Sequence, residues 1–369
     1  MRLALSALVA AFVLVKLLSA QATPNPTLRI GVDGLVHGHV AGFFNTALKR
    51  TDVQIVGIAE PDRSLFDSYA ARYHLDPSLY FASLDDMISH VHPPAVVVYT
   101  NTFDHRKAVE TCARHGVHVM MEKPLAVSYK DALAMADAAR SGHIHVLVNY
   151  ETTWYASNKA AHDLLMDGKL GALRKIVVRD GHQGPKEIHV QPEFFAWLTN
   201  PELNGAGALF DFGCYGADLS TWLHNGAPPQ TVTAVTQQIK PDIYPHVDDE
   251  ANVILKYPDS IAILEPSWNW PFSVKDMQVY GRTAEVKTIL RDKIEIVTGD
   301  NQQARREDAT PLQSPFDDSL HYFAAVIAGK LTDQDSLSSL NTNVLVTQIL
   351  DAARRSAKEG RTIHLPLND

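Results

Sequence analysis

A lysine at the end of a predicted buried strand is the first candidate for acid–base chemistry in this sequence. The apolar segment 117–121 is followed directly by Glu122, Lys123 and Pro124. The carboxyl end of a parallel strand lies at the edge where α/β sheets bind ligands, and the proline fixes the local backbone. An ammonium group in a partly desolvated cleft can exchange a proton with a substrate hydroxyl. The ordinary alternative is a solvated lysine at a strand end.

The first predicted strand leads into a glycine-containing turn that could bind a dinucleotide. Such turns bring the backbone close to a pyrophosphate at the N-terminus of a helix. Counted from Gly34, the second and third glycines of the G-x-G-x-x-G pattern fall on Val36 and His39, and Gly38 comes one residue too early. His37 or His39 could contact the phosphate or the nicotinamide instead. By itself the segment is equally compatible with an ordinary strand-to-helix turn.

An acidic residue follows the second predicted strand. Glu60 lies where a carboxylate can accept hydrogen bonds from both hydroxyls of an adenosine ribose. A carboxylate there repels a 2′-phosphate, so the position favours NAD over NADP. An exposed loop carboxylate is the alternative interpretation.

The elements that must position these residues alternate regularly over residues 28–150. Short apolar runs alternate with amphipathic segments in units of about 20–30 residues, which predicts a parallel sheet with right-handed crossovers. The predicted strands are 28–32, 53–59, 95–99, 117–121 and 144–148, and the predicted helices are 63–73, 105–115 and 129–140.

The pattern changes after about residue 150, where strands joined by tight turns predict an antiparallel sheet. The second domain, residues 151–369, is therefore expected to be α+β, and its last helix could pack back on the first domain. The predicted strands are 251–257, 260–264, 277–280, 284–290 and 293–297, and the predicted helices are 158–167, 320–328 and 337–357.

Composition excludes several classes of protein. With 369 residues, two domains are expected, and 46% hydrophobic with 20% charged residues argues against disorder. There are 33 Lys and Arg against 42 Asp and Glu, with no basic block, so no nucleic-acid partner is expected. The two cysteines, Cys112 and Cys214, fall in different domains and are expected to be free thiols.

Residues 1–22 have the pattern of a secretory signal peptide. Arg2 precedes an apolar run, and Ala20-Gln21-Ala22 fits the small-x-small cleavage pattern. The run is short for a membrane span and Lys16 interrupts it, so an uncleaved anchor is the minor alternative. We expect an exported protein, periplasmic or secreted, without a stable membrane span after cleavage.

Four segments at consistent spacings resemble the Gfo/Idh/MocA family, the group of glucose–fructose oxidoreductase and inositol dehydrogenase. Segment 113–124 ends in the Glu-Lys-Pro motif, and 100–105 is an altered Thr-Pro-Asn-x-x-His. Segment 167–176 is similar to the helix end and first strand of the family's second domain. Segment 205–218 resembles Gly-Gly-Gly-x-Leu-x-Asp-x-Gly-x-His-x-x-Asp, with Tyr215 at the position usually held by histidine.

This resemblance implies an N-terminal Rossmann-type domain that binds NAD, a C-terminal domain with a mainly antiparallel open sheet, and a sugar, polyol or derivative as substrate. Lys123 would exchange the hydroxyl proton, Asp211 would orient the substrate and tune the lysine, and Tyr215 would be an alternative acid or base, or a hydrogen-bond donor. On a helix, Asp211 and Tyr215 would share a face. Relatives are commonly dimers or tetramers, so a homo-oligomer is expected.

The predicted cofactor contacts follow from the turn, the second strand and the family motifs. They are Gly34, Val36, His37, Gly38, His39, Glu60, Thr100, Asn101, His105, Glu122 and Lys123.

Four further residues are candidate substrate contacts. Tyr150 and Glu151 follow the last parallel strand and could equally pack at the hinge. His182 lies in a polar loop that could equally be a domain edge. Trp268 could stack on a pyranose face, although aromatic residues on a sheet more often belong to a core or a subunit interface.

No metal is expected. The histidine pairs at 37 and 39, 90 and 92, and 143 and 145 could ligate a metal ion, but no third ligand is signalled nearby in the sequence.

Three functions are compatible with these patterns. The first is a nicotinamide-dependent oxidoreductase for a sugar, polyol or sugar derivative. The second is a redox-neutral glycosidase-type or lyase-type reaction with a tightly bound, recycled NAD, which export favours because free NAD is scarce outside the cytoplasm. The third is a non-catalytic sugar-binding protein, which the degenerate glycine turn favours.

Overall fold

The structure is a computed structural model that describes residues 27–300, 302–334 and 336–367. The predicted signal peptide at residues 1–22 lies outside the described residues. No helix in the described ranges is both long enough and apolar enough to cross a bilayer.

The first half of the chain folds into a sheet of parallel strands alternating with helices, as the sequence predicts. Its strand order is β3-β2-β1-β4-β5-β6, so the order reverses between β1 and β4, and ligands bind outside the carboxyl ends of the strands at such a point. The elements are β1 (Leu28–Asp33), α1 (Val40–Ala47), β2 (Val53–Ala59), α2 (Arg63–Tyr73), β3 (Tyr80–Phe81), α3 (Leu84–Val91), β4 (Ala95–Val98), α4 (His105–Arg114), β5 (His118–Glu122), α5 (Tyr129–Gly142) and β6 (Val146–Asn149).

Local sequence fixes the ends of several helices. Ser83 and Ser128 each accept a hydrogen bond from a backbone N–H in the first turn of α3 and α5, which satisfies a donor that has no partner inside the helix. The same helices end at His92 and His143, both in the left-handed conformation. These members of two His-x-His pairs are therefore helix-ending residues.

The second half contains a sheet of nine strands in the order β14-β13-β12-β11-β7-β10-β9-β8-β15. Among the described residues of this sheet only β7 and β10 pair in parallel, so the prediction of a mainly antiparallel sheet is confirmed. The elements are α6 (Ala156–Met166), β7 (Leu173–Gly181), α7 (Pro192–Leu198), α8 (Pro201–Asn204), α9 (Ala208–Asp211), α10 (Gly213–Leu223), β8 (Thr231–Gln237), β9 (Glu250–Lys256), β10 (Ile261–Ser267), β11 (Val274–Gly281), β12 (Ala284–Ile289), β13 (Lys293–Thr298), β14 (Arg305–Asp308), α11 (Ser319–Ile327), α12 (Leu340–Glu359) and β15 (Ile363–His364).

The segment around Asp211 is not the single helix assumed from the sequence. Asp211 ends α9, and Tyr215 lies in α10, with a break at Phe212. The carbonyl oxygen of Asp211 accepts a hydrogen bond from Lys123 Nζ at 3.1 Å and one from Cys214 Sγ at 3.3 Å. A side chain from the first domain thus binds a carbonyl that a continuous helix would have used internally.

Two helices of the second half pack against the first domain. Residues of α11, among them Phe323 and Val326, are buried in the same core as Ile30 and Phe44. Helix α12 contacts both α5 and α10. Along it, Arg354 donates hydrogen bonds to the carbonyls of Val127 (3.2 Å) and Gly205 (3.0 Å), one from each domain. These helices fix the two sheets relative to one another.

Gly207 is held in a space that admits no side chain, and this predicts a large effect of a small substitution. A Cβ there would lie 1.8 Å from the carbonyl oxygen of Asp248. We expect Gly207→Ala to lower the free energy of unfolding by about 3 kcal/mol, because backbone must move to relieve the clash.

Gly42 is the matched control, since a Cβ at this position of α1 meets nothing within 4 Å. Gly42→Ala should stabilise the protein by up to about 1 kcal/mol through helix propensity. Urea unfolding of both variants measures the difference, and equal stabilities would contradict this account of Gly207.

Candidate active site

A buried ion pair joins the two domains at the edge of the parallel sheet. Lys123, which follows β5, donates a hydrogen bond from Nζ to Asp211 Oδ1 at 2.5 Å, and its side chain is 5% exposed. The other carboxylate oxygen, Oδ2, accepts a hydrogen bond from Trp268 Nε1 at 2.9 Å. The structure thus brings Lys123, the predicted acid or base, together with Asp211, which the family resemblance implies would tune it.

The ion pair determines the protonation of both groups. Burial is the largest effect on Lys123 and would lower its pKa, but Asp211 together with Cys214 and Glu122 raises the pKa above its usual value. Burial is also the largest effect on Asp211 and would raise its pKa, but Lys123 together with His182 and Trp268 lowers it. The pair is an ammonium and a carboxylate, a point that the sequence left open because the two effects oppose each other.

Aromatic rings and a second lysine surround this ammonium. Lys123 Nζ lies 5.3 Å from the ring centroid of Tyr215 and 5.8 Å from that of Phe212. Lys275 Nζ lies 4.7 Å from the Tyr215 ring and 3.5 Å from its hydroxyl oxygen. Burial raises the pKa of Tyr215 well above its usual range, so the group is a neutral hydroxyl.

Sequence analysis missed Lys275, and no pattern in the sequence identifies it. Lys275 lies in β11 and donates a hydrogen bond to Glu151 Oε2 at 2.5 Å. The other oxygen of Glu151 accepts a hydrogen bond from the Tyr155 hydroxyl at 2.6 Å. Although burial opposes ionisation, Lys275 holds the pKa of Glu151 at about 2. Only the pairing of strand β11 with β7 brings Lys275 here.

These groups open on a cavity of about 480 Å³, the lysine cavity. His182 also faces it; its Nδ1 accepts a hydrogen bond from the backbone N–H of Gly184 at 2.9 Å. Burial lowers the pKa of His182, so the imidazole is neutral and its Nε2 carries the proton. The predicted site residues that line this cavity are Gly38, His39, Lys123, Glu151, His182, Asp211 and Tyr215.

Five of the predicted cofactor residues line a different cavity of about 730 Å³, the turn cavity. It lies outside the carboxyl ends of β1, β2 and β4 and is lined by Gly34, Val36, Glu60, Thr100 and Asn101. Gly34 has φ +81°, and a Cβ there would lie 2.8 Å from the backbone nitrogen of Thr100. No larger residue would leave this turn in place.

The residues of the turn cavity fit the adenosine half of a dinucleotide. Glu60 is buried, and its two oxygens accept hydrogen bonds from the backbone N–H groups of Leu35 (2.8 Å) and Asp62 (3.0 Å). The remaining lone pairs of the carboxylate can accept from ribose hydroxyls. Helix α1 has no side-chain cap and no acidic residue in its first turn, which suits an anion at its N-terminus.

His39 lines both the lysine cavity and a third space of about 570 Å³, the α1 cavity, which Glu122 also lines. His39 Nδ1 and Glu122 Oε2 are hydrogen-bonded at 2.9 Å. His37, His39 and Glu122 lie close enough together to share a metal ion, as do Asp317, Asp318 and His321. Glu122 is thus a third potential ligand that the sequence did not signal. The absence of a metal stays a prediction.

Four predicted contacts are corrected, because their side chains line none of the three cavities. Trp268 is fully buried and binds the carboxylate of Asp211, so no pyranose can stack on it. Tyr150 is fully buried and donates a hydrogen bond to Asn343 Oδ1 at 2.8 Å.

His105 Nδ1 lies 3.1 Å from the carbonyl oxygen of Pro124, so it holds the segment that carries Lys123. His37 is enclosed by the rings of His39, Tyr99, Phe194 and Trp197.

Helix α7 of the second domain covers the glycine turn, which the sequence did not reveal. Trp197 Nε1 donates a hydrogen bond to the carbonyl oxygen of Val36 at 3.1 Å. A Cβ at Gly38 would lie 2.7 Å from the ring of Phe194 and 2.9 Å from Gln191 Oε1. Gly38 is therefore required by this packing.

A parallel dinucleotide-type sheet whose edge lysine faces an antiparallel second domain is the architecture of two-domain nicotinamide-dependent oxidoreductases. The sequence comparisons identify the family. Residues 28–150 match an oxidoreductase family with an NAD-binding Rossmann fold, and residues 158–287 match the GFO/IDH/MocA C-terminal domain. The chain belongs to the Gfo/Idh/MocA family. The model that matches its first domain describes an oxidoreductase family with an NAD-binding Rossmann fold, in agreement with the fold and cofactor that the sequence predicts.

Among curated proteins, 1,5-anhydro-D-fructose reductase from Ensifer adhaerens is 23% identical over 82% of this chain and 90% of its own length. Trans-1,2-dihydrobenzene-1,2-diol dehydrogenase from Macaca fuscata fuscata is 26% identical over 62% of this chain, and the match spans only 64% of that relative.

Among solved structures, an aldose-aldose oxidoreductase from Caulobacter crescentus superposes with a TM-score of 0.77 at 22% identity, covering 92% of this chain and 100% of the other. An inositol dehydrogenase homolog complexed with NAD⁺ from Azotobacter vinelandii gives 0.79 at 18% identity, covering 92% and 97%. At these identities the superpositions show the fold alone.

The ion pair of Lys123 and Asp211 predicts strong coupling between the two side chains. Asp211→Asn and Lys123→Met should each cost about 3–5 kcal/mol of unfolding free energy, because each leaves one buried charge without its partner. The double variant should cost at least about 2 kcal/mol less than the sum of the two. Urea unfolding at neutral pH measures this cycle.

The exposed pair of Lys159 and Asp163 on α6 is the control for this cycle. Its coupling should stay below about 1 kcal/mol. If the losses of unfolding free energy in the two single variants simply add in the double variant, the contact between Lys123 and Asp211 does not stabilise the protein as an ion pair.

The buried carboxyl of Asp33, which lines the turn cavity, should make the free energy of unfolding depend on pH. Burial, with the charges of Glu60 and Asp104, raises the pKa of Asp33 from 3.8 to about 7. Since the folded pKa lies above the unfolded one, stability is highest when the carboxyl is protonated and falls as pH rises through about 7. Between pH 5 and pH 8 Asp33→Asn should therefore gain about 3 kcal/mol of stability relative to the wild type.

Urea unfolding at several pH values between 5 and 8 measures this gain. Asp137→Asn, at an exposed position of α5, is the control and should give a constant difference from the wild type. A pH-independent effect of Asp33→Asn would contradict the assignment.

Proposed function

We propose that this protein is an NAD-dependent dehydrogenase for a sugar, polyol or sugar derivative, in which Lys123 exchanges the proton of the reacting hydroxyl. The observation that carries the proposal is the buried ammonium of Lys123, held by Asp211 at the wall of a cavity beside the dinucleotide-type sheet. The names of the curated relatives, a reductase of a sugar derivative and a diol dehydrogenase, support it.

NAD accepts or returns a hydride at its nicotinamide ring, and the chain itself handles the proton. In the resting state the ammonium of Lys123 can donate a proton to a carbonyl oxygen during reduction. In the oxidation direction Lys123 must lose a proton before it can take one from the hydroxyl, and Asp211 then keeps the reprotonated ammonium in place. The Tyr215 hydroxyl and His182 Nε2–H are donors that can fix neighbouring substrate oxygens.

A redox-neutral reaction with a retained, recycled NAD is the second candidate, and one observation favours it. Phe194 and Trp197 of α7 lie directly on the turn at the N-terminus of α1, so a cofactor bound there would be covered by the second domain. A protein exported as the sequence predicts would benefit from such retention. Export and assembly into a homodimer or homotetramer stay predictions.

The test begins with mass spectrometry of the nicotinamide released when the purified protein is denatured. NADH formation at 340 nm is then followed with a panel of sugars, polyols and glycosides. Steady NADH formation supports the dehydrogenase, and bound NAD with glycoside cleavage or elimination but no net NADH supports the redox-neutral enzyme. Failure to bind NAD would contradict both and leave a sugar-binding protein.

Lys123→Arg tests the role of the lysine without removing its charge. The guanidinium can still pair with Asp211 but does not release a proton at neutral pH, so kcat should fall about 10²–10⁴-fold while NAD stays bound. Lys159→Met, on the exposed face of α6, is the control and should leave kcat unchanged. Full activity of Lys123→Arg would rule out proton exchange by this residue.

A further inference from the structure

The turn between β12 and β13 lies at the mouth of both the lysine cavity and the α1 cavity, and the fold pins it there. Ser157, at the start of α6, is fully buried. Its backbone N–H donates to the carbonyl oxygen of Arg291 at 3.1 Å, and its hydroxyl donates to that of Leu290 at 2.8 Å. The turn is thus fixed by two hydrogen bonds from another element.

The backbone of this turn is strained at Leu290, and packing of the Leu290 side chain does not compensate for the strain. Leu290 has φ +55°, a left-handed conformation that costs a residue with a side chain about 1–2 kcal/mol. The Leu290 side chain is 69% exposed, so its burial offsets none of this cost. Strain of this kind clusters at functional positions, and Arg291 is the next residue of the same turn.

Arg291 lines both cavities, and its guanidinium interacts electrostatically with Glu151, whose carboxylate is already hydrogen-bonded to Lys275. The guanidinium carbon lies 5.0 Å from the ring centroid of Tyr155. In the part of the chain that the structure describes, no carboxylate forms an ion pair with Arg291. By contrast, Lys123 is paired with Asp211, and Lys275 is paired with Glu151. Three cations and two carboxylates line the lysine cavity, which leaves an excess of one positive charge.

We infer that Arg291 binds the carboxylate of an acidic sugar, such as a uronate, whose reacting hydroxyl lies at Lys123. This inference rests on the proposed function and names its substrate class. A guanidinium matches the two oxygens of a carboxylate with parallel hydrogen bonds. The wall between the two ends of the substrate is formed by Tyr155, Glu151 and Lys275, which are already bonded to one another.

The charge balance selects a carboxylate over a phosphate. A single negative charge neutralises the excess positive charge of the cavity wall. A phosphate ester carries up to two charges and would meet the ionised carboxylate of Glu151, which accepts a hydrogen bond from Tyr155 and interacts electrostatically with the guanidinium of Arg291. Repulsion by Glu151 therefore disfavours a dianion more than a carboxylate.

The test compares binding of D-glucuronate and D-galacturonate with D-glucose, D-galactose and glucose 6-phosphate by calorimetry on the NAD-loaded protein, with NADH formation followed in parallel. At least one uronate should bind 10-fold or more tightly than its parent hexose, and salt should weaken that preference. Arg291→Gln should abolish the preference, and Arg291→Lys should restore part of it.

Arg282→Gln is the matched control, since Arg282 is an exposed arginine in the preceding hairpin turn of the same sheet and lines neither cavity. It should keep the uronate preference of the wild type. Equal binding of uronate and hexose, an unchanged preference in Arg291→Gln, or tighter binding of glucose 6-phosphate would each overturn the inference.

The two parallel readouts separate this inference from the proposed function. NADH formation with neutral hexoses and no uronate preference would refute the role of Arg291 alone. Tight uronate binding that depends on Arg291, without NADH formation from any compound, would support the anion site and count against the dehydrogenase.

Discussion

Burying the ammonium of Lys123 against the carboxylate of Asp211 is the constraint around which this molecule is built. Removing two charges from water costs several kcal/mol for each, and the attraction repays this only where the geometry is well held. Here a further residue fixes each of the two partners. His105 binds the backbone that carries Lys123, and Trp268 binds the second oxygen of Asp211. Two residues that the sequence suggested as ligand contacts turn out to support the ion pair.

Because the two charges come from different domains, the site exists only while the domains stay docked. Elements far from the chemistry secure that docking. Helix α11 completes the core of the first sheet, and Arg354 on α12 bonds to a carbonyl of each domain. The stability of the domain contact and the protonation of the site are therefore linked, since separating the domains would expose both charges to water.

The degenerate glycine pattern has a physical explanation in the same docking. Gly34 is needed for the left-handed turn next to Thr100, as in an ordinary dinucleotide-binding turn. Gly38 is needed because Phe194 and Gln191 of the second domain lie against it, one residue before the position where the pattern places its third glycine. The turn is adapted to a covering helix, which agrees with a cofactor that is enclosed on binding.

The sequence by itself determined the parallel sheet, the mainly antiparallel second sheet and the candidacy of Lys123 and Asp211, because strand periodicity and short motifs are local properties. From the turn, the second strand and a family motif it also predicted Gly34, Glu60 and Thr100 as cofactor contacts. Only the tertiary structure decided the rest. The protonation of Lys123 depends on a carboxylate 88 residues away in the chain, and Lys275 and Arg291 reach the cavity through strand pairing and a pinned turn. Such positions depend on how separate elements pack, and no local pattern in the sequence encodes contacts between residues so far apart in the chain.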